Sequence, residues 1–311
     1  MTNLTDPIFH NEEAAARHIE VSRWNGEPSC PHCGSVNATR LKGKTQAGYF
    51  QCNDCRDKFT VRTGTVMERS HVPLHKWLLA MHLLSSSKKG ISASQIARNI
   101  GVTYKTAWFL CHRIREAMTP INPDPLGGAG KIVEADETYI GGKDKNRHAH
   151  KRSGSGSSMV KKQAVVALVE REGDVRSFHV ASVTGPSLRS VLVQNADRKS
   201  WLMTDEHSGY IKTGKEFAGH ASTKHSLGEY VKHGVVHSNT VENFFSIMKR
   251  GVIGTYHHWS EQHLSRYTAE FDFRYNHRDI TDGERSAAVL KGIEGKRLTY
   301  LTYRRVDRLA A

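Results

Sequence analysis

Lys131-Ile132-Val133-Glu134-Ala135-Asp136-Glu137-Thr138-Tyr139-Ile140-Gly141-Gly142 decides the fold: a β-like run closed by Asp136, then a turn signalled by paired glycines. Further along, Ser200-Trp201-Leu202-Met203-Thr204 is another apolar run stopped by an acid, Asp205. Two more strand-like stretches, 163–170 and 175–180, and a helix near 187–196 lie between them. Three strands, a helix and a fourth strand predict a mixed α/β sheet. Asp136 and Asp205 would stand at strand tips, adjacent if the first and fourth strands pair.

A third acid opens an amphipathic segment. Ser238 to Arg250 begins with capping residues, Asn239 being the expected N-cap, and places Val241, Phe244, Phe245 and Met248 at helical spacing. Glu242, Ser246 and Lys249 then share the opposite face, so a carboxylate and an ammonium point the same way. Carboxylates from three elements suit Mg²⁺ or Mn²⁺, hard cations that take oxygen ligands and keep waters for the substrate. Two such ions about 4 Å apart support in-line phosphoryl displacement. The chain has 31 Asp and Glu, and three of them also fit solvated surface or helix-start charges, so the residues alone leave both readings open.

Working outward, 311 residues suffice for two or more domains. The formal charge of +14, with 19 histidines in reserve, favours a nucleic acid partner over a membrane surface; a merely soluble basic protein is the plain alternative. No segment approaches the roughly 20 uninterrupted apolar residues that cross a bilayer. The start, Met1-Thr2-Asn3-Leu4-Thr5-Asp6, lacks the basic-then-apolar pattern of a secretory signal. The expectation is a cytoplasmic protein with no membrane partner.

Four of the five cysteines form two Cys-x-x-Cys knuckles, Cys30 with Cys33 and Cys52 with Cys55, separated by the 18 residues 34–51. That is the four-thiolate zinc ribbon pattern, and an all-cysteine set predicts one structural Zn²⁺. Disulfide or redox pairs are the competing reading, disfavoured without a secretion signal. Cys111 falls in an apolar helical stripe and reads as a small buried hydrophobe.

Residues 9–25 look helical, and Val72 to Leu84 is an apolar helix started by a proline. Ser92-Ala93-Ser94-Gln95 is a capping-box pattern, and Gly101-Val102-Thr103 turns into a further helix that begins at Thr103-Tyr104-Lys105-Thr106. The outline is a helix-turn-helix that would set Lys105 against DNA; a helical hairpin that only packs on its neighbours is the bland alternative. Residues 143–162 hold seven Lys or Arg against one acid, among serines and glycines. Lys143, Lys145, Arg147, Lys151 and Arg152 there would meet phosphates, or the segment is a solvated insertion of no special role. A last helix spans 263–278, with Leu264, Tyr267, Phe271 and Tyr275 as its core stripe.

Taken together, the chain resembles bacterial insertion-sequence DDE transposases of the ISXO-like group, in which a zinc ribbon precedes the catalytic domain. The resemblance rests on Val133 to Gly142, on Thr204-Asp205-Glu206-His207-Ser208-Gly209-Tyr210, and on His237 to Asn243 continuing through Lys249-Arg250-Gly251 to Gly254-Thr255-Tyr256-His257. It implies a ribonuclease-H-like catalytic domain with two Mg²⁺ ions. Asp136 and Asp205 would be metal ligands, Glu242 the third ligand or a water-positioning acid, and Lys249 a contact near the scissile phosphate, with Arg250 beside it on DNA. It further implies cleavage at the 3′ ends of the element, strand transfer of the freed 3′-hydroxyl into target DNA, and a homo-oligomer on paired terminal inverted repeats. Some members of the group carry asparagine as the third acid, so Asn239 and Asn243 stay open for that role. A non-catalytic zinc-dependent DNA-binding regulator, an inactive transposase relic and a nuclease of similar fold are the competing functions. The expected division is an N-terminal helix (1–26), the ribbon (27–66), a helix-turn-helix-like segment (67–119), a linker (120–130), the catalytic domain (131–280) and a basic tail (281–311).

Overall fold

The computed structural model describes residues 3–142, 162–223 and 237–299. The chain divides into two compact units, Met1–Pro120 with Asp279–Ala311, and Ile121–Arg278.

In the first unit, helix α1 (Glu12–Trp24) starts where the Asn11 side chain accepts the Ala14 N–H and stops at left-handed Asn25. The ribbon is an antiparallel sheet of β1 (Ala38–Arg40), β2 (Phe50–Cys52) and β3 (Lys58–Phe59). Its small core is aromatic: Phe50 and Phe59 stack at 5.4 Å, and Trp24 meets both edge-on. Helix α2 (Leu74–Ser86) follows Pro73. Helix α3 (Ala93–Ile100) is capped by Ser92 and ends at left-handed Gly101, and α4 (Tyr104–Met118) is capped by Thr103. The predicted helix-turn-helix outline is present, with Tyr104 and Lys105 exposed where α4 begins.

The expectation of a bare basic tail from 281 is corrected. Thr281 and Glu284 form a reciprocal capping box that starts a helix over Asp282–Lys291, whose buried Val289 and Leu290 pack in this unit against α2, α1 and α4. A few apolar positions in basic surroundings suffice when they fall on one helical face.

The second unit is built on five strands: β4 (Ile132–Ile140), β5 (Gln163–Glu170), β6 (Val175–Val180), β7 (Trp201–Thr204) and β8 (Gly219–Ser222). Their order is β6-β5-β4-β7-β8, antiparallel from β4 to β6 and parallel from β4 through β7 to β8. This is the mixed, ribonuclease-H-like sheet that the resemblance implies. Apolar side chains fill both faces of the central strands. Val133 and Ala135 join Leu188 and Leu192 of helix α5 (Gly185–Asn195) and Tyr210 of α6 (Gly209–Gly214). On the other face Val165, Ala167 and Val169 meet Val241, Phe244 and Met248 of α7 (Asn239–Gly251) and Phe271 of α8 (Leu264–Asn276).

Residues 121–130, expected as a linker, belong to this unit. Leu126 is 3 % exposed and bridges Ala196, while the N–H groups of Gly127 and Gly128 donate to Glu170 and to Ser200 Oγ. One leucine anchored in the core overrides the turn-rich composition. At the outer border of β6, Asn276 on α8 donates to the Val175 carbonyl (3.0 Å) and accepts its N–H (2.8 Å), while Asp272 accepts the N–H of Ser177 (2.8 Å).

Candidate active site

Asp136 does not close its strand as expected. β4 runs on to Ile140 against β5, but its ladder with β7 ends at Glu134 and Met203. Two residues beyond that last pair the two chains reach Asp136 and Asp205. Asp136 therefore stands where neighbouring strands part, still paired with β5 but no longer with β7, and Asp205 directly follows the last residue of β7, which opens space for a ligand beside a fixed backbone.

Strand alternation sends Asp136 and Glu137 to opposite faces. Asp136 turns to the α7 side and accepts its neighbour's N–H, Glu137 N, at 2.7 Å. Burial, with the Asp205, Glu137 and Glu242 carboxylates near, pushes its carboxyl up to about 7. Glu137 turns to the α6 side and accepts the Tyr210 hydroxyl at 2.7 Å; its carboxyl is raised by burial and by Asp205. Asp205 accepts the His207 N–H at 3.0 Å, which folds the loop after β7 back toward it.

Glu242 lies in the first turn of α7, exposed, on the face opposite Val241, Phe244, Phe245 and Met248, as the spacing predicts. Ser238, not Asn239, holds the cap position, because the Glu242 N–H donates to the Ser238 carbonyl (3.1 Å). The Ser238 hydroxyl donates to Glu242 Oε1, also at 3.1 Å. Asn239 and Asn243 are both exposed beside it. Asp136, Glu137 and Glu242 line an open cleft of about 410 Å³ together with Lys249, Arg250 and Ile253. Acids and bases thus border one opening, and Asp205 reaches Asp136 through its charge without lining the cleft. Among the described residues the three acids are not drawn within 4.8 Å of one another; only the four cysteines are. The donors are nonetheless all carboxylate oxygens, the set a hard divalent cation takes. Lys143, Lys145, Arg147, Lys151 and Arg152 lie outside the described residues.

The ribbon cysteines fit their metal closely. Cys30 and Cys55 sulfurs are 3.7 Å apart and those of Cys33 and Cys52 3.6 Å; tetrahedral Zn–S bonds of about 2.3 Å imply sulfurs about 3.8 Å apart. Each knuckle turns through the residue after its second cysteine, Gly34 at φ 78° and Arg56 at φ 65°. The backbone N–H of Cys55, then that of Asp54, pulls the Cys52 thiol down to about 7, toward the thiolate that binds metal.

Sequence reasoning passed over Glu134, Glu137, Tyr210 and Ser238. Glu134 was detectable in principle, since it lies two residues before Asp136 and so on the same face of a strand; nothing local announces its partners, which lie near residue 240.

A ribonuclease-H-like sheet bearing carboxylates where its strands part, in a chain that also carries a four-thiolate ribbon, defines a class of zinc-ribbon nucleic acid enzymes. Residues 125–276 match the ISXO2-like transposase domain and residues 10–58 the transposase zinc-ribbon domain. The chain belongs to the insertion-sequence DDE transposases with an N-terminal zinc ribbon. It is 29 % identical over 276 residues to an uncharacterized protein in transposable element ISH50 of Halobacterium salinarum, covering 86 % of this chain and 91 % of that protein. A chain of a simian T-cell lymphotropic virus intasome in complex with the PP2A regulatory subunit B56γ is 16 % identical, with 61 % of this chain and 66 % of that one covered, at a TM-score of 0.31. Among the described residues no helix is long and apolar enough to cross a membrane.

Proposed function

We propose that this transposase cleaves the 3′ ends of its element and transfers the freed 3′-hydroxyl into target DNA. The observation that carries the reading is the half-buried Asp136 with the Asp205, Glu137 and Glu242 carboxylates near it, at a cleft that Lys249 and Arg250 also line. A site that concentrates negative charge at this cost is one made for cations. Asp136, Asp205 and Glu242 would hold two Mg²⁺ or Mn²⁺ ions, which when bound activate the attacking oxygen and stabilise the leaving one. Lys249 and Arg250 neutralise the phosphodiester and orient it across the cleft. Lys105 on α4 and the basic segment 143–162 add phosphate contacts along double-stranded DNA, both terminal repeats and target. The working form is a homo-oligomer on paired ends, in the cytoplasm.

The test is a strand-transfer assay with Mg²⁺ on DNA from the flanks of the encoding gene. Wild type gives joined product, and Asp136→Ala and Asp205→Ala lose at least 10²-fold while still binding DNA. Folded variants that lose binding and joining together, or a folded wild type that joins nothing, would sink the proposal.

Metal-free stability gives a second check. A carboxyl raised in the folded state adds stability that is complete below its unfolded value, near 3.8 for Asp136, and is lost as pH rises through about 7. Mn²⁺ is therefore expected to raise Tm more at pH 8 than at pH 5, and Asp136→Asn to raise the metal-free Tm at pH 8 by several degrees. Equal metal effects at both pH values would count against Asp136 as a ligand.

A further inference from the structure

Glu134 is a charged side chain with no exposed surface, and its carboxylate is spoken for on every side. Oε2 accepts the backbone N–H groups of Thr240 (2.9 Å) and Val241 (3.1 Å). Oε1 accepts the Thr240 hydroxyl at 3.0 Å and Arg171 Nε at 2.6 Å, with His237 Nδ1 at 3.3 Å. Arg171 is in turn tied down, its own N–H donating to the Ile132 carbonyl (3.0 Å) and its guanidinium to the His237 carbonyl (2.8 Å).

Those two backbone groups are the second and third N–H of α7, the pair that an N-cap side chain ordinarily satisfies. The cap residue of this helix makes no such bond. Glu134 makes it instead, from a strand 106 residues away in sequence. The Ser238 hydroxyl is thereby released from capping, and it donates to Glu242.

From this geometry we infer that Glu134 is a positioning residue for the third acid. It borrows no substrate contact; it bolts the first turn of α7 to β4, the strand that carries Asp136 two residues on, and so sets the distance between Asp136 and Glu242. A carboxylate is required because it alone offers acceptors for two N–H groups, a hydroxyl and a guanidinium at once. The inference rests on Glu242 belonging to the proposed metal site.

Two measurements on zinc-loaded full-length protein test it. Hydrogen exchange of Glu134→Gln is expected to quicken at least tenfold across residues 239–245, with residues 163–170 of β5 unchanged. Mn²⁺ affinity, followed by the electron paramagnetic resonance of free ion, is expected to fall about tenfold on Glu134→Gln in the wild-type background and less than twofold in a Glu242→Ala background. A residue that merely stabilises the domain would weaken Mn²⁺ equally in both backgrounds, and that result overturns the inference. Unchanged exchange at 239–245 overturns it as well. Quickened exchange in Glu134→Gln, found together with a wild type that binds no Mn²⁺, would sink the metal-site reading, and with it the role assigned to Glu134, while showing the bolt itself to be real. Should Glu134→Gln fail to fold, Ser238→Ala carries the same cycle, with the same non-additivity expected against Glu242→Ala.

Discussion

Helices α2 and α7 solve one problem in the same way and in opposite surroundings. Neither has a side-chain bond from its own cap residue, and each takes a glutamate from elsewhere in the chain, with an arginine and a histidine in attendance. For α2 the donor pair is Leu74 N (2.9 Å) and His75 N (3.2 Å) on Glu12, with the His75 ring at 2.9 Å and Arg62 at 3.4 Å. For α7 it is Thr240 and Val241 on Glu134, with Arg171 and His237. The Glu12 side chain is 46 % exposed and that of Glu134 0 %. Water competes for the first carboxylate and cannot reach the second, so the same constellation is an adjustable cap in one place and a fixed joint in the other.

The largest expected effect of that difference is on truncation. Glu134→Ala takes the carboxylate from the half-buried Arg171 and the acceptor from two helix N–H groups, at a cost of about 3–5 kcal/mol, which lowers the Tm of this unit by roughly 10 °C. Glu12→Ala lets water take the vacated donors and is expected to cost about 1 kcal/mol. Thermal unfolding of both variants checks the pair, and similar losses would break the comparison. Next comes pH. Burial works to raise Glu12, but the Leu74 and His75 N–H groups, the His75 ring and Arg62 outweigh it and hold the carboxyl below its usual 4.5. A lowered carboxyl adds stability above its unfolded value and loses it as pH falls through the folded one. The gap between wild type and Glu12→Ala should therefore be constant above about pH 5 and narrow as pH falls below the usual 4.5; a gap that widens in acid would reverse the assignment. The smallest effect is that of salt: 1 M NaCl should shrink the Glu12→Ala penalty by about 0.5 kcal/mol or less and leave that of Glu134→Ala unaltered.

The same contrast explains what the sequence makes legible. β5 was readable to its last residue, because eight apolar-rich positions buried on both faces leave a continuous run, and the two knuckles announce the ribbon because metal ligation demands their spacing. The stripe of α7 was readable from its period, which also put Glu242 and Lys249 on one face. β8 escaped because Gly219-His220-Ala221-Ser222 is half-buried at every position and shows no alternation. α9, Asp282–Lys291, escaped because its charges outnumber its buried positions, although its capping box was there to be read. Glu134 looked like any acid in a strand. Its meaning comes from partners about a hundred residues away, and local pattern carries no information about them.

The border of β6 has a consequence of its own. An outermost strand normally offers a row of open peptide groups on which a strand from another molecule can dock, the first step of fibrous self-association. Here Asn276 and Asp272 of α8 already occupy the groups of Val175 and Ser177 that would accept such a visitor. Along the first half of this margin the rungs a visiting strand would need are held by two side chains of a single helix.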